Sequence, residues 1–153
     1  MVMKKLKLLM GSGDKMGPFI WSVAIICFIL YFIFPSFFST PKSNFLNILG
    51  LILLYLGIII CIWSQILIFI KVPKKQLITN GPYVLVKHPL YTGVSLLVLP
   101  GLGILFSNWL VILFGLILYI ITRIYRSGEE KRMEKEFGEK YEKYLDSVLF
   151  PGL

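Results

Sequence analysis

Two separated stretches of the chain carry the side chains best suited to bind a charged ligand or to move a proton. The first, residues 71–90, contains His88, the only histidine. The second contains the adjacent carboxylates Glu129 and Glu130. A histidine can exchange a proton near neutral pH, and a carboxylate accepts charge-assisted hydrogen bonds from a cationic group. Taken alone, His88 also fits a solvent-facing residue in an interfacial anchor of lysine and tyrosine.

The sequence suggests different roles for the two adjacent carboxylates, Glu129 and Glu130. Ser127 and Glu130 have the spacing of a capping box, which predicts a structural role for Glu130 at a helix start. That motif leaves Glu129 unexplained, so Glu129 is the better candidate for a site. The alternatives for Glu129 are a surface ion pair or a favourable charge near a helix N-terminus.

The composition indicates a membrane protein rather than a soluble one. Hydrophobic types make up 57% of the 153 residues and charged types only 16%, whereas soluble domains carry roughly 25% charged residues. The net charge of +8 then favours basic loops beside a membrane over nucleic-acid binding. Cys27 and Cys61 lie in apolar runs, and one histidine cannot form a histidine cluster. Disulfide pairing and a metal site are therefore not expected.

Four apolar stretches predict an all-α integral membrane protein in a single domain, residues 1–153, since a bilayer core needs about 20 helical residues. A polar loop at 71–90 separates the second helix from the third, and Pro100-Gly101-Leu102-Gly103 predicts a kink or a cavity wall in the third. Apolar residues at helical spacing predict an amphipathic C-terminal helix. The predicted helices cover residues 18–34, 45–70, 91–106, 109–125 and 128–145.

The distribution of Lys and Arg predicts the orientation. Four lie before the first helix (Lys4, Lys5, Lys7, Lys15), four between Lys71 and Lys87, and seven from Arg123 onwards, against one, Lys42, in the other loops. Basic loops stay in the cytoplasm, so we expect both termini and the 71–90 loop to be cytoplasmic. The basic N-terminus is followed by Gly and Ser rather than a long apolar core, which argues against a secretory signal.

Three motifs taken together resemble the isoprenylcysteine carboxyl methyltransferase family and its phospholipid N-methyltransferase relatives. They are Gly81-Pro82-Tyr83 followed by Lys87-His88-Pro89-Leu90-Tyr91-Thr92-Gly93, then Glu129-Glu130 with Phe137-Gly138, Tyr141 and Tyr144, and finally Pro151-Gly152-Leu153. The resemblance covers about Lys74 to the C-terminus. It implies S-adenosylmethionine (SAM) as methyl donor, S-adenosylhomocysteine as product, and a lipophilic small molecule or lipid as acceptor.

The resemblance also implies specific site residues. By position the cofactor contacts fall on Lys75, Gln76, Leu77, Ile78, Tyr83, His88, Pro89, Leu90, Tyr91 and Glu129, and the Gly-x-Gly of the phospholipid relatives looks like Gly101 and Gly103. The family's arginine for the substrate carboxylate aligns with Tyr125, so Arg126 beside it or Arg123 one turn earlier would take that role.

Several functions stay open at this point. Carboxylate O-methylation is favoured, with phospholipid or amine N-methylation as the alternative. Because Tyr125 stands in place of the family's arginine, a prenylcysteine substrate is in question, and a non-enzymatic membrane scaffold that keeps the fold is a further alternative. A small transporter is disfavoured because the predicted helices carry no charged residue at their centres.

Overall fold

The computed structural model describes residues 13–153, with side chains described from residue 18, and within this range the regular structure is helical. The basic side chains of Lys4, Lys5, Lys7 and Lys15, which enter the predicted orientation, lie outside the described residues. The first helix begins at Gly13, five residues before the predicted start, so Pro18 lies inside it. The helices are α1 Gly13–Ile33, α2 Asn44–Lys71, α3 Pro89–Leu105, α4 Trp109–Tyr125, α5 Ser127–Phe137 and α6 Glu139–Ser147.

Small residues let α2 and α3 pack closely. A Cβ atom on Gly50 would lie 3.1 Å from the carbonyl oxygen of Gly101, and one on Gly57 would lie 2.7 Å from a methyl group of Val98. The absence of a side chain at Gly50 and Gly57 thus leaves room for α3 against α2. Close backbone approach at small residues is a common way for membrane helices to associate.

Helix α3 accommodates its proline without ending. Its middle turn, Val94–Val98, is a π-helix, and the α-helix resumes at Leu99. A π-turn changes the hydrogen-bond spacing before Pro100, which has no N–H to donate. The buried Ser95 within this turn packs closely on α4, since a Cβ on Gly115 would lie 2.6 Å from the carbonyl oxygen of Ser95.

The loops gather at two opposite ends of the helical bundle. At one end the residues between α1 and α2 pair with the α3–α4 turn: Thr40 N–H donates to Ser107 O at 2.8 Å, and Trp109 N–H to Phe38 O at 3.1 Å. At the other end the residues between α2 and α3 meet the chain after α4. We call these the distal end and the site end.

Helix α2 is long and apolar enough to cross a bilayer. Helices α4 and α5 together pass the same criterion as one span bent by 41°. The apolar segments Pro18–Ile33 and Pro89–Leu105 are shorter than a full span, so the four predicted crossings stay a prediction.

The C-terminal helix predicted at 128–145 is two helices in the structure. Gly138 has φ +49, a left-handed backbone value that favours glycine, and it separates α5 from α6. The helical spacing of apolar residues continues across this break, which is why the sequence pattern predicted one helix. Two short helices allow α6 to turn back toward the α2–α3 loop.

Candidate functional site

The α2–α3 loop is folded back onto α2. The ammonium of Lys71 donates to Asn80 Oδ1 at 2.6 Å, and Gly81, at φ +64, lies so close to Trp63 and Leu67 that a side chain there would collide with them. A short 3-10 turn, Gly81–Val84, follows. Because Pro89 opens α3 with a fixed φ, His88 is held at the helix entrance and is buried.

The tail of the chain docks on this loop. Tyr141, Tyr144 and Val148 are buried and pack with Leu77 and Tyr83. The hydroxyl of Tyr144 donates to the carbonyl oxygen of Tyr83 at 2.8 Å. Apolar contact and a hydrogen bond thus attach α6 to the loop that carries His88.

This docking brings the two chemically interesting stretches together. His88 Nδ1 lies 3.8 Å from Glu129 Oε2, and His88 Nε2 lies 3.4 Å from Glu130 Oε1. The ammonium of Lys87 lies 2.9 Å from Glu130 Oε1. A histidine and a lysine from the loop therefore face two carboxylates from the first turn of α5.

Glu130 does not form the predicted capping box. Ser127 Oγ donates to Ile124 O at 3.1 Å, and no side chain caps α5. The side chain of Glu130 turns toward Lys87 instead, because an ion pair at a partly buried position stabilises the carboxylate more than a neutral amide does. The capping-box prediction was wrong, and both carboxylates face the loop.

The electrostatics follow from these contacts. The imidazole of His88 and the ammonium of Lys87 lower the pKa of Glu130 to about 2, against the opposing effect of burial. The His88 contact is long and lacks hydrogen-bond geometry, so the 2.9 Å contact with Lys87 is the firmer of the two. Burial, together with Glu130 and Glu134, raises the pKa of Tyr141 to about 12. Glu130 is thus ionised and Tyr141 protonated near neutral pH.

Three buried polar atoms in the described part of the chain have no hydrogen-bond partner: His88 Nε2, Thr92 Oγ1 and Tyr141 Oη. Thr92 lies one turn after His88, and Tyr141 is close enough to Glu130 to feel its charge. Buried polar groups without partners cost free energy unless a ligand or water satisfies them. They belong to segments that meet at the loop–tail junction, which makes this junction the candidate ligand site.

The model of the isoprenylcysteine carboxyl methyltransferase (ICMT) family matches residues 45–135, more than half of the chain. The chain belongs to the ICMT family. No curated protein and no solved structure matches it. The family match confirms the resemblance and starts earlier than expected, at α2 rather than at Lys74.

Membership makes this chain a membrane methyltransferase of the ICMT type. The matched range contains the Lys87-His88 pair and both carboxylates, but it ends before α6. Tyr141 and Tyr144, which attach the tail to the loop, lie outside it. Sequence reasoning placed those two tyrosines in the family motif and on a predicted amphipathic helix, and it did not identify Thr92 or Tyr141 as polar groups of the site.

The residues that the ICMT resemblance implies as cofactor contacts differ in how deeply they are buried. Those flanking the cluster are buried or partly buried: Leu77, Ile78, Tyr83, Pro89, Leu90 and Tyr91. The rings of His88 and Tyr91 are 6.2 Å apart. Lys75 and Gln76 are exposed, and Lys75 has a left-handed backbone with φ 54.

Gly101 and Gly103 do not lie with this cluster. They follow Pro89 by at least 12 residues, or about 18 Å at the helical rise of 1.5 Å per residue. A Cβ on Gly101 would meet Gly50 and Leu54 of α2, and one on Gly103 would meet Ile112 of α4. The two glycines serve helix packing toward the distal end, so their predicted contact with the cofactor and the predicted cavity wall have no support from this placement.

The two candidate arginines have different surroundings. Arg126 is buried, with 5% of its surface exposed, and it lies near enough to Tyr141 to affect its pKa. Arg123 is exposed, and its guanidinium lies 3.5 Å from the Tyr119 hydroxyl. Arg126 is therefore the arginine placed at the loop–tail junction.

Proposed function

We propose that this protein is a SAM-dependent methyltransferase whose donor pocket forms where the α2–α3 loop meets the tail. The observation that carries the proposal is the 3.8 Å separation of His88 Nδ1 and Glu129 Oε2. His88 precedes α3 and Glu129 follows α4, so the hairpin of α3 and α4 brings both residues to the site end. A histidine and a carboxylate held together there suit a ligand with both polar and cationic groups.

The chemistry of the residues fits SAM, which carries an ammonium, a carboxylate and a sulfonium. Glu129 would accept hydrogen bonds from the ammonium with charge assistance. His88 Nε2 and Thr92 Oγ1, which are buried and have no hydrogen-bond partner, would offer further polar contacts to SAM. When bound, SAM supplies an activated methyl group with a good leaving group.

The protein's part is then mainly one of alignment. Displacement at carbon requires nucleophile, methyl carbon and sulfur to lie in a line, and holding them there removes much of the entropic cost. A carboxylate acceptor needs no base. An amine acceptor must arrive unprotonated, and His88 is the group placed to take its proton.

We assign the acceptor to lipophilic molecules with a carboxylate. Buried arginines normally bind carboxylates in pairs of parallel hydrogen bonds, and Arg126 is the buried arginine at the junction. The site end also holds eleven of the twelve Lys and Arg residues from Lys42 onwards, with Lys42 alone at the distal end. By the positive-inside rule this supports a cytoplasmic active site.

Product identification tests the proposal. Membranes containing the protein are incubated with SAM labelled in its methyl group, and the labelled lipid-soluble product is isolated. We expect a product that mild base cleaves, as it does a methyl ester. A base-stable product would indicate N-methylation, and absence of any labelled product would favour the scaffold alternative.

The acceptor assignment has its own pair of variants. Arg126→Lys keeps the charge but removes the planar fork, so we expect a rise in KM for the acceptor, on the order of 10-fold for a loss near 1.4 kcal/mol, with unchanged SAM affinity. Arg123→Lys, on the exposed side of the same region, should behave like wild type. Equal effects in both variants would contradict the assignment.

A further inference from the structure

Five large apolar side chains are exposed beside the loop–tail junction, outside the α-helices. They form a surface that we call the apolar ledge: Val84 and Leu85 at 46% exposed, Leu149 at 63%, Phe150 at 51% and Leu153 at 38%. Exposed apolar residues in one patch commonly mark an interaction site.

Backbone pairing fixes the two halves of the ledge to each other. Leu149 N–H donates to Val84 O at 3.0 Å, and Phe150 N–H donates to Leu85 O at 2.9 Å. The ledge is therefore a defined structure, formed by two segments with far-separated positions in the sequence. A terminal segment without such hydrogen bonds is commonly poorly ordered, and it would not keep its side chains aligned with those of the loop.

The ledge lies beside α2, the helix that is long and apolar enough to cross a bilayer. The turn Gly81–Val84 packs on α2 at Trp63 and Leu67. Trp63 precedes the end of α2 at Lys71 by eight residues, which is about 12 Å along a helix. The turn thus lies alongside the candidate membrane span, about two turns inside the end of α2, and it packs on a tryptophan, a residue type common at membrane–water interfaces.

The segments that adjoin the ledge expose charges of both signs. Lys74 and Lys75 on the loop are exposed, and α6 exposes Lys140 and Lys143 together with Glu139, Glu142 and Asp146. Basic residues beside a membrane helix are attracted to anionic headgroups, and the loop lysines directly follow the end of α2. An apolar patch beside such lysines is the composition of an interfacial membrane anchor.

We propose that the apolar ledge inserts into the headgroup–acyl boundary of the leaflet at the site end, and so holds the loop–tail junction at the bilayer surface. This proposal concerns membrane contact and is independent of the methyl donor. It explains why large side chains are exposed at a place where the backbone is ordered by pairing.

Depth-dependent quenching tests the ledge. In a background with Cys27→Ser and Cys61→Ser, Phe150→Cys and Leu149→Cys are each labelled with an environment-sensitive fluorophore and reconstituted in vesicles of phosphatidylcholine and phosphatidylglycerol. Asp146→Cys, on the exposed face of α6, is the matched control. The background without an added cysteine corrects for residual labelling, and unchanged thermal unfolding shows that each variant is folded.

We expect lipid with a nitroxide near the headgroup to quench positions 149 and 150 several-fold more than position 146. Aqueous iodide should quench position 146 the most. The proposal is overturned if both ledge positions are quenched by iodide as strongly as position 146, which places them in water. It is equally overturned if neither quencher reaches them, because protein then covers the ledge.

Discussion

The two ends of the bundle are closed in different ways. At the distal end Phe37, Phe38 and Trp109 pack together, with ring separations of 4.9–5.8 Å, and the indole N–H of Trp109 donates to Phe37 O at 3.0 Å. At the site end the loop and tail meet through Lys87, His88 and two carboxylates as well as through tyrosines.

The distal end shows that aromatic packing and hydrogen bonds to the backbone, without charged groups, are enough to hold two connecting segments of this bundle together. Partly buried charges cost desolvation and are weak evidence for stability. Their concentration at one end, with three unpartnered polar atoms beside them, is better explained by ligand binding than by folding. The distal end therefore has the features of a stabilising contact, and the site end has those of the binding site that we propose.

Trp109→Ala should give the largest effect on stability and none on the site end. It removes the ring packing and the Trp109 hydrogen bond, so we expect a loss of about 2–4 kcal/mol in the free energy of unfolding. Trp21→Ala, at a 71% exposed position of α1, is the matched control and should change little. Denaturant unfolding in mixed micelles measures both. A stable Trp109→Ala variant would remove the distinction between the ends.

Tyr144→Phe probes the attachment of the tail to the loop and should have an intermediate effect. Loss of the hydrogen bond to Tyr83 O should cost about 0.5–1.5 kcal/mol of stability. Tyr55→Phe, at an exposed position of α2, serves as the control. If the two variants unfold alike, the hydrogen bond seen at 2.8 Å contributes nothing to docking.

The pH dependence due to Glu130 should be the smallest effect, because the carboxylate is partly exposed and screened. Its pKa in the folded protein, about 2, lies below the ordinary value of 4.5. Its stabilising contribution is therefore complete above pH 4.5 and lost as the pH falls toward 2. Glu130→Gln should flatten this part of the stability curve, whereas Glu142→Gln on exposed α6 should not. A curve unchanged by Glu130→Gln would contradict the ion pair with Lys87.

The helices could be predicted from the sequence because long apolar runs leave few alternatives. Observed α2 and α4 begin and end within one residue of the predicted limits. The break at Gly138 could not be found from the pattern, since apolar spacing continues through it and a glycine is compatible with either outcome. The π-turn in α3 was not predicted either: Pro100 indicates a kink, but a proline alone does not specify which hydrogen-bond pattern precedes it.

The candidate site was predictable in part. The family motifs pointed to His88 and Glu129, which the structure brings together, and to Gly101 and Gly103, which it places with the helix contacts. Glu130 was assigned to a cap because the motif with Ser127 is local, whereas its partner Lys87 lies on another element. Local rules fail where a tertiary ion pair competes with them.

Calorimetric titration of SAM into the protein in lipid nanodiscs tests the central claim most directly. We predict saturable binding by wild type, and a loss of about 1–3 kcal/mol in binding free energy for Glu129→Gln, the scale of a hydrogen bond to a charged group. Glu136→Gln, exposed on the same helix, should bind like wild type. Absence of SAM binding by wild type, or equal affinity in Glu129→Gln, would contradict a donor pocket between loop and tail.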